Sequence, residues 1–66
     1  MISGAFYTNE VLGALKMFGA MGAAEIKAKL LMKNIKLDES QVLEAIDVLI
    51  KRNMVKRSDV PGKFKA

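Results

Sequence analysis

The sequence predicts a mainly α-helical domain in which three helices precede a small β-hairpin, in the order α-α-α-β-β. Two observations predict this class. Apolar residues recur at helical spacing in three separate segments. After Asn53, short apolar and basic stretches flank Pro61-Gly62, which is typical of a turn between two strands. With 66 residues and neither a repeat nor a linker, the chain is expected to form one domain over residues 1–66.

The first helix is expected to begin at Thr8 or Asn9, because both side chains are competent N-caps. Gly19 suits the left-handed conformation just past the helix end. Between them, apolar residues recur at helical spacing: Val11, Leu12, Leu15 and Phe18.

An N-terminal arm, residues 1–7, precedes this helix and contains Ile2, Phe6 and Tyr7. The arm either covers the core or pairs with a second copy of the chain. The sequence leaves both alternatives open.

The second helix is expected from about Ala23 to Lys33, with Ile26 and Leu30 on its inner face. The small-residue segment before it is typical of a turn from which Met21 can point inward. Asn34 is expected to cap its C-terminus.

The third helix has the clearest start signal in the chain. Asp38 is the expected N-cap, and Gln41 three residues later completes a variant of the capping box. Leu43 and Ile50 are expected to pack at the flanks of the core. On an ideal helix one broad arc is apolar: Val42, Leu43, Ala45, Ile46, Leu49 and Ile50. The other arc holds Ser40, Gln41, Glu44, Asp47, Val48, Lys51 and Arg52.

Residues 54–66 predict the hairpin. Pro61 and Gly62 suit the central positions of a type II turn, which requires a positive φ at the second position. Its expected apolar anchors are Met54, Val55 and Phe64.

The composition excludes several classes of function. There is no cysteine and no histidine, so disulfides and ordinary zinc sites are excluded. No serine has a histidine or cysteine to act with, and no Gly-Lys-Ser/Thr phosphate loop is present. The sequence therefore predicts no enzyme activity, no cofactor, no metal and no small-molecule ligand.

The 52% of hydrophobic residues is high for so short a chain, which favours a surface for self-association or a partner.

No apolar run approaches the ~20 residues of a membrane-spanning helix. The first residues also lack the basic and then apolar pattern of a signal peptide. We therefore expect an intracellular protein, cytoplasmic or nuclear, without a membrane partner.

The net charge of +4 is unevenly distributed along the chain. Residues 25–37 hold four lysines and one acid, and residues 38–50 hold four acids and no base. Residues 51–66 hold six bases and one acid. A basic segment of this kind favours a polyanionic partner.

Helix, small-residue link, helix, loop, helix and hairpin is the order of the winged-helix fold. The pattern "ID.LI.R..V.R", from Ile46 to Arg57, resembles the third helix and wing entry of that superfamily. It is similar to MarR-type bacterial regulators and to the C-terminal winged helix of cullins. The resemblance covers about residues 9–65 in the order of elements and 40–57 in residue pattern.

Two features depart from a compact helix-turn-helix regulator. The loop "LMKNIKLD" between the second and third helices is longer than the usual tight turn and lacks glycine. Regulators also commonly place Ser, Thr, Arg or Gln on the third helix where this chain has Leu43, Glu44, Asp47 and Val48.

The resemblance implies binding to double-stranded DNA, with the third helix in the major groove and the wing along the backbone. We therefore expect a small regulator of transcription, replication or recombination that contacts phosphates mainly through the wing and the end of the third helix. The expected phosphate contacts are Lys29, Lys33, Lys36, Lys51, Arg52, Lys56, Arg57, Lys63 and Lys65. The first three are expected to form a row on one side of the second helix. The candidate contacts to base edges are Ser40, Gln41, Glu44 and Val48.

A protein-interaction winged helix is the alternative. The outward face formed by Glu44, Asp47, Val48 and Lys51 carries no net charge, which suits a polar rim around an apolar contact. Such a face could hold another protein, a second copy of the chain, or the rest of a larger complex.

Overall fold

Three helices and an antiparallel hairpin follow one another along the chain, so the predicted α-α-α-β-β order is confirmed. The computed structural model describes residues 4–66. Within that range no helix has both the length and the apolar character needed to cross a bilayer. The helices are α1 (Thr8–Phe18), α2 (Ala23–Leu31) and α3 (Glu39–Lys51), and the strands are β1 (Lys56–Arg57) and β2 (Phe64–Lys65).

The chain enters α1 through a short 3-10 helix, Gly4–Tyr7, that packs against α3. Tyr7 packs against the core, while the side chain of Phe6 is 79% exposed. Thr8 is already inside the helix and is buried, with no side-chain cap bond at this end. The predicted start at Thr8 is confirmed, whereas the predicted capping by Thr8 or Asn9 is wrong, because the preceding 3-10 turn leads directly into the helix. Ile2 lies outside the described residues.

The start of α3 agrees with its prediction. The Asp38 side chain accepts a hydrogen bond from the Gln41 N–H at 2.8 Å, and the Gln41 side-chain oxygen accepts one from the Asp38 N–H at 3.0 Å. Two N–H groups that the helix leaves unpaired are thereby satisfied. The predicted capping box is confirmed.

Both α2 and α3 end with an asparagine in the left-handed conformation, Asn34 at φ 61° and Asn53 at φ 59°. The residue after each asparagine donates its N–H to a carbonyl five residues back, at 3.0 and 2.9 Å respectively. This pairing satisfies the last carbonyls of each helix. α2 stops at Leu31, two residues before the predicted end, because the reversal begins there.

One hydrophobic cluster joins the helices to the hairpin. Ile50 packs against it as predicted, but Leu43 is 45% exposed, so its predicted packing at the flank is wrong. On an ideal helix Leu43 lies only about 20° from Ile50, but it is two turns further from the hairpin, whose residues lie beside Ile50. The cluster consists of Val11, Leu12, Ala14, Leu15, Met21, Ile26, Leu30, Leu37, Val42, Ala45, Ile46, Leu49 and Val55.

The hairpin turns at the predicted residues. The Lys63 N–H donates to the Val60 carbonyl at 3.2 Å, and Gly62 between them has φ 79°. β2 also pairs with the segment between α1 and α2, where Met21 and Phe64 exchange two backbone hydrogen bonds of 3.0 and 2.8 Å. No pattern in the sequence predicts this bridge, which fixes the hairpin to the helices.

The bridge depends on close approach at Gly22. A Cβ atom at this position would lie 3.0 Å from the Gly62 carbonyl oxygen. We expect Gly22→Ala to lower the free energy of unfolding by about 1–3 kcal/mol through overpacking. Hydrogen exchange at the Phe64 amide should accelerate at the same time, because the bridge opens.

Gly13→Ala is the matched control, because a Cβ there meets nothing within 4 Å. Gly13 lies inside α1, so alanine should stabilise the protein by about 0.5–1 kcal/mol. Equal effects of the two substitutions on stability would contradict the close approach at Gly22.

The left-handed end of α3 gives a second prediction. Asn53→Val should lower the free energy of unfolding by about 1–2 kcal/mol, since a β-branched residue strains at positive φ, whereas Asn53→Gly should cost nothing. Urea denaturation followed by far-UV circular dichroism measures both variants. If the valine and glycine variants were equally stable, a left-handed conformation at residue 53 would be excluded.

Candidate nucleic-acid interface

The hairpin presents two lysines side by side. Lys56 and Lys65 are directly opposite each other in the antiparallel pair, so both side chains leave the same face. Both are exposed. Like charges at opposite positions repel and destabilise a strand pair. An anion placed between them would relieve that repulsion.

The second pair of the hairpin sets Arg57 opposite Phe64. The guanidinium carbon of Arg57 lies 6.0 Å from the centre of the Phe64 ring, within the range of a cation–π contact. Phe64 in turn packs against the hydrophobic cluster. The aromatic ring therefore anchors the strand and restrains a charged group that is itself exposed.

Two of the predicted phosphate contacts already face carboxylates. The Lys51 ammonium lies 3.0 Å from Asp47, one turn earlier on α3, and the Lys63 ammonium lies 3.5 Å from Glu25 at the start of α2. Both pairs are largely exposed, so each contributes little to stability. The nearby carboxylates nevertheless offset the positive charge that these two lysines present.

Glu25 joins the start of α2 to the hairpin. Its side chain accepts the Gly22 N–H at 3.2 Å and also pairs with Lys63. The Gly22 bond first, and the charge of Lys63 after it, hold the pKa of Glu25 below the ordinary glutamate value despite partial desolvation. One carboxylate thus bonds to the backbone of one element and to a side chain of another.

The lysines near α2 do not form the single row that was predicted. Of Lys29, Lys33 and Lys36, only Lys29 lies on the helix, with its ammonium 4.6 Å from the centre of the Phe18 ring. Lys33 lies in the turn after the helix, and Lys36 lies in the loop before α3. The prediction that all three lie along one side of α2 is wrong, because the chain reverses at Asn34.

Ser40 and Gln41, candidates for contacts to base edges, serve the cap of α3. The Ser40 hydroxyl donates to the Asp38 carboxylate at 2.9 Å, and Gln41 takes part in the capping box. The Gln41 N–H and then the Ser40 hydroxyl hold the pKa of Asp38 below its ordinary value. Base contacts by these two side chains would compete with the cap. The other candidates, Glu44 and Val48, lie on α3 as exposed and half-buried side chains respectively.

The end of α3 and the hairpin enclose a shallow, open depression, lined by Ile50, Asn53, Val55 and Lys56. Sequence reasoning missed this feature because it depends on how the chain reverses at Asn53 and returns along the helix. Among residues 4–66, no cluster of three or more acidic, cysteine or histidine side chains could hold a metal ion.

The two lowered pKa values predict a loss of stability in acid. A carboxyl with a lower pKa in the folded state contributes stability that is present above its unfolded pKa and is lost as the pH falls through the folded pKa. We therefore expect the free energy of unfolding to fall below about pH 4. Asp38→Asn should reduce this dependence, because asparagine caps a helix at any pH.

Asp59→Asn is the control for this titration, since it neutralises an exposed carboxyl in the hairpin loop. Denaturation by urea at a series of pH values compares the two variants with the parent chain. If Asp38→Asn and Asp59→Asn gave the same pH dependence, Asp38 would have no special role.

Comparison of the chain with models of protein families, with curated proteins and with solved structures found no match in any of the three sets.

Proposed function

We propose that this chain is a winged-helix protein that binds the phosphate backbone of double-stranded DNA through its hairpin and the end of α3. The observation that carries the proposal is the pair of exposed lysines, Lys56 and Lys65, set opposite each other on one face of the hairpin. Within residues 4–66 neither lysine forms an ion pair that would offset this repulsion. A row of phosphates supplies the counter-charge that the face lacks.

Further bases around this pair support the proposal. Arg52 at the end of α3 and Arg57 on β1 are exposed. Within residues 4–66, the bases of the hairpin and the end of α3 that form ion pairs are Lys51 and Lys63. The other four bases in this region form none within that range. Arg52, Lys56, Arg57 and Lys65 are therefore the best-placed groups to replace the counterions of DNA.

The cap of α3 favours binding without strong base preference. Base reading in the major groove needs hydrogen-bonding side chains aimed at base edges. Ser40 and Gln41 instead bond to Asp38 and to the backbone of the first turn. A role in transcription, replication or recombination that depends on backbone contacts fits this arrangement better than recognition of one operator sequence.

The proposal predicts steep salt dependence on a duplex of random sequence. Each lysine that meets a phosphate contributes about 0.9 to the slope of log affinity against log salt. That slope is negative, and the double substitution Lys56→Gln/Lys65→Gln should make it less steep by roughly 1.8. Lys63→Gln should have a smaller effect than Lys65→Gln, because Glu25 lies beside Lys63. Fluorescence anisotropy at several salt concentrations measures these slopes.

The matched control is Lys16→Gln/Lys27→Gln, which removes two charges from α1 and α2. Circular dichroism verifies that every variant folds. If the parent chain failed to bind at low salt, or if both double substitutions changed the slope equally, binding through the hairpin would be excluded.

A further inference from the structure

We propose that a second copy of this chain docks along one edge of α3 to form a two-fold symmetric dimer. We call this surface the α3 edge, and it consists of Glu39, Leu43, Ile50, Asn53 and Lys56. The inference does not rest on DNA binding. It rests on the shape, apolar character and charge of this edge.

The apolar part of the α3 edge has a projection and a depression. On an ideal helix Glu39, Leu43 and Ile50 lie within about 40° of one another. Leu43 is 45% exposed and projects from this side of the helix. Two turns further on, Ile50 and Asn53 line the open depression beside the hairpin. Because a leucine side chain is apolar, it can pack into such a depression.

The charges on the α3 edge match these two parts. Glu39 lies one turn before Leu43, at the acidic start of the helix. Lys56 lines the depression at the other end. A side chain that fits this depression should therefore be apolar with an acidic neighbour, and Leu43 with Glu39 meets both conditions.

Leu43 lies on α3, and the depression lies between the end of α3 and the hairpin that follows it, so one copy carries both complementary parts and two copies can satisfy each other. A two-fold axis near Asp47, perpendicular to α3, sets the helices antiparallel. Each residue then faces one about equally far beyond the axis. Leu43 meets the depression of the second copy, and Glu39 meets its Lys56. The acidic segment 38–50 of each copy also lies beside the basic segment that follows it in the other.

A short chain gains particular benefit from such pairing. Small domains bury a limited fraction of their surface, so their cores are marginal. Leu43 is one of several large apolar side chains that this chain leaves exposed. Lys56 belongs to the proposed DNA surface as well, so dimer and duplex would compete for it.

Sedimentation velocity on the chain without DNA, from about 10 μM to about 1 mM, tests the dimer. The parent chain should shift from monomer to dimer with concentration. Leu43→Lys should raise the dissociation constant about tenfold or more, because two-fold symmetry places the substitution in the interface twice. Leu31→Lys is the control, since Leu31 is 52% exposed on α2. Circular dichroism verifies the fold of both.

A charge exchange tests the orientation. Glu39→Lys and Lys56→Glu should each weaken the homodimer, whereas an equimolar mixture of the two variants should form a heterodimer. A monomeric parent chain at about 1 mM would overturn the proposal. So would equal effects of Leu43→Lys and Leu31→Lys, or a mixture that associates no better than its components. None of these outcomes depends on whether the chain binds DNA.

Discussion

The two backbone hydrogen bonds between Met21 and Phe64 hold the hairpin against the helices. Strands of two residues have too few bonds to be stable alone, and an isolated hairpin is marginal in water. The bridge supplies a third strand position, and Phe64 and Val55 add buried apolar surface beside it. Because the register of β1 and β2 is then fixed, the spacing of the basic side chains is fixed with it.

The charged residues of α3 and those of the hairpin differ in whether the fold itself explains them. Acids at the start of a helix and a base at its end interact favourably with the helix dipole. This interaction accounts for Asp38, Glu39 and Lys51 without the need for a bound macromolecule. Lys63 in the hairpin pairs with Glu25, whereas Lys56 and Lys65 form no ion pair within residues 4–66. This difference favours the hairpin over the helix as the site of the proposed nucleic-acid contact.

Local signals in the sequence predicted local structure well. Asp38 and Gln41 lie three residues apart, so their capping box can be read directly, and the same holds for the turn at Pro61-Gly62. The errors have non-local or contextual causes. Thr8 looks like a cap until the preceding 3-10 turn is known.

Contacts between distant segments could not be predicted in the same way. The Glu25–Lys63 pair and the Met21–Phe64 bridge join residues that lie far apart in the sequence. Hydrophobic periodicity assigned Leu43 to an apolar arc, but it does not say how wide an arc the neighbouring elements cover. The candidate basic residues were identifiable by type alone, and the Asp47–Lys51 pair is an i,i+4 contact on one helix. The Glu25–Lys63 pair, by contrast, required the tertiary structure.

Glu25 affects how much conformational entropy the hairpin would lose when a ligand binds to it. Its carboxylate holds the Gly22 backbone and the Lys63 ammonium together, so the start of α2 and the turn end of the hairpin are joined at a second point beyond the bridge. The backbone bridge supplies most of the order of this surface, since the exposed ion pair contributes little. A ligand that meets the ordered surface need not supply the free energy of ordering a loose arm. The same carboxylate repels an approaching polyanion, so the side chain that links the two elements also attenuates their positive charge.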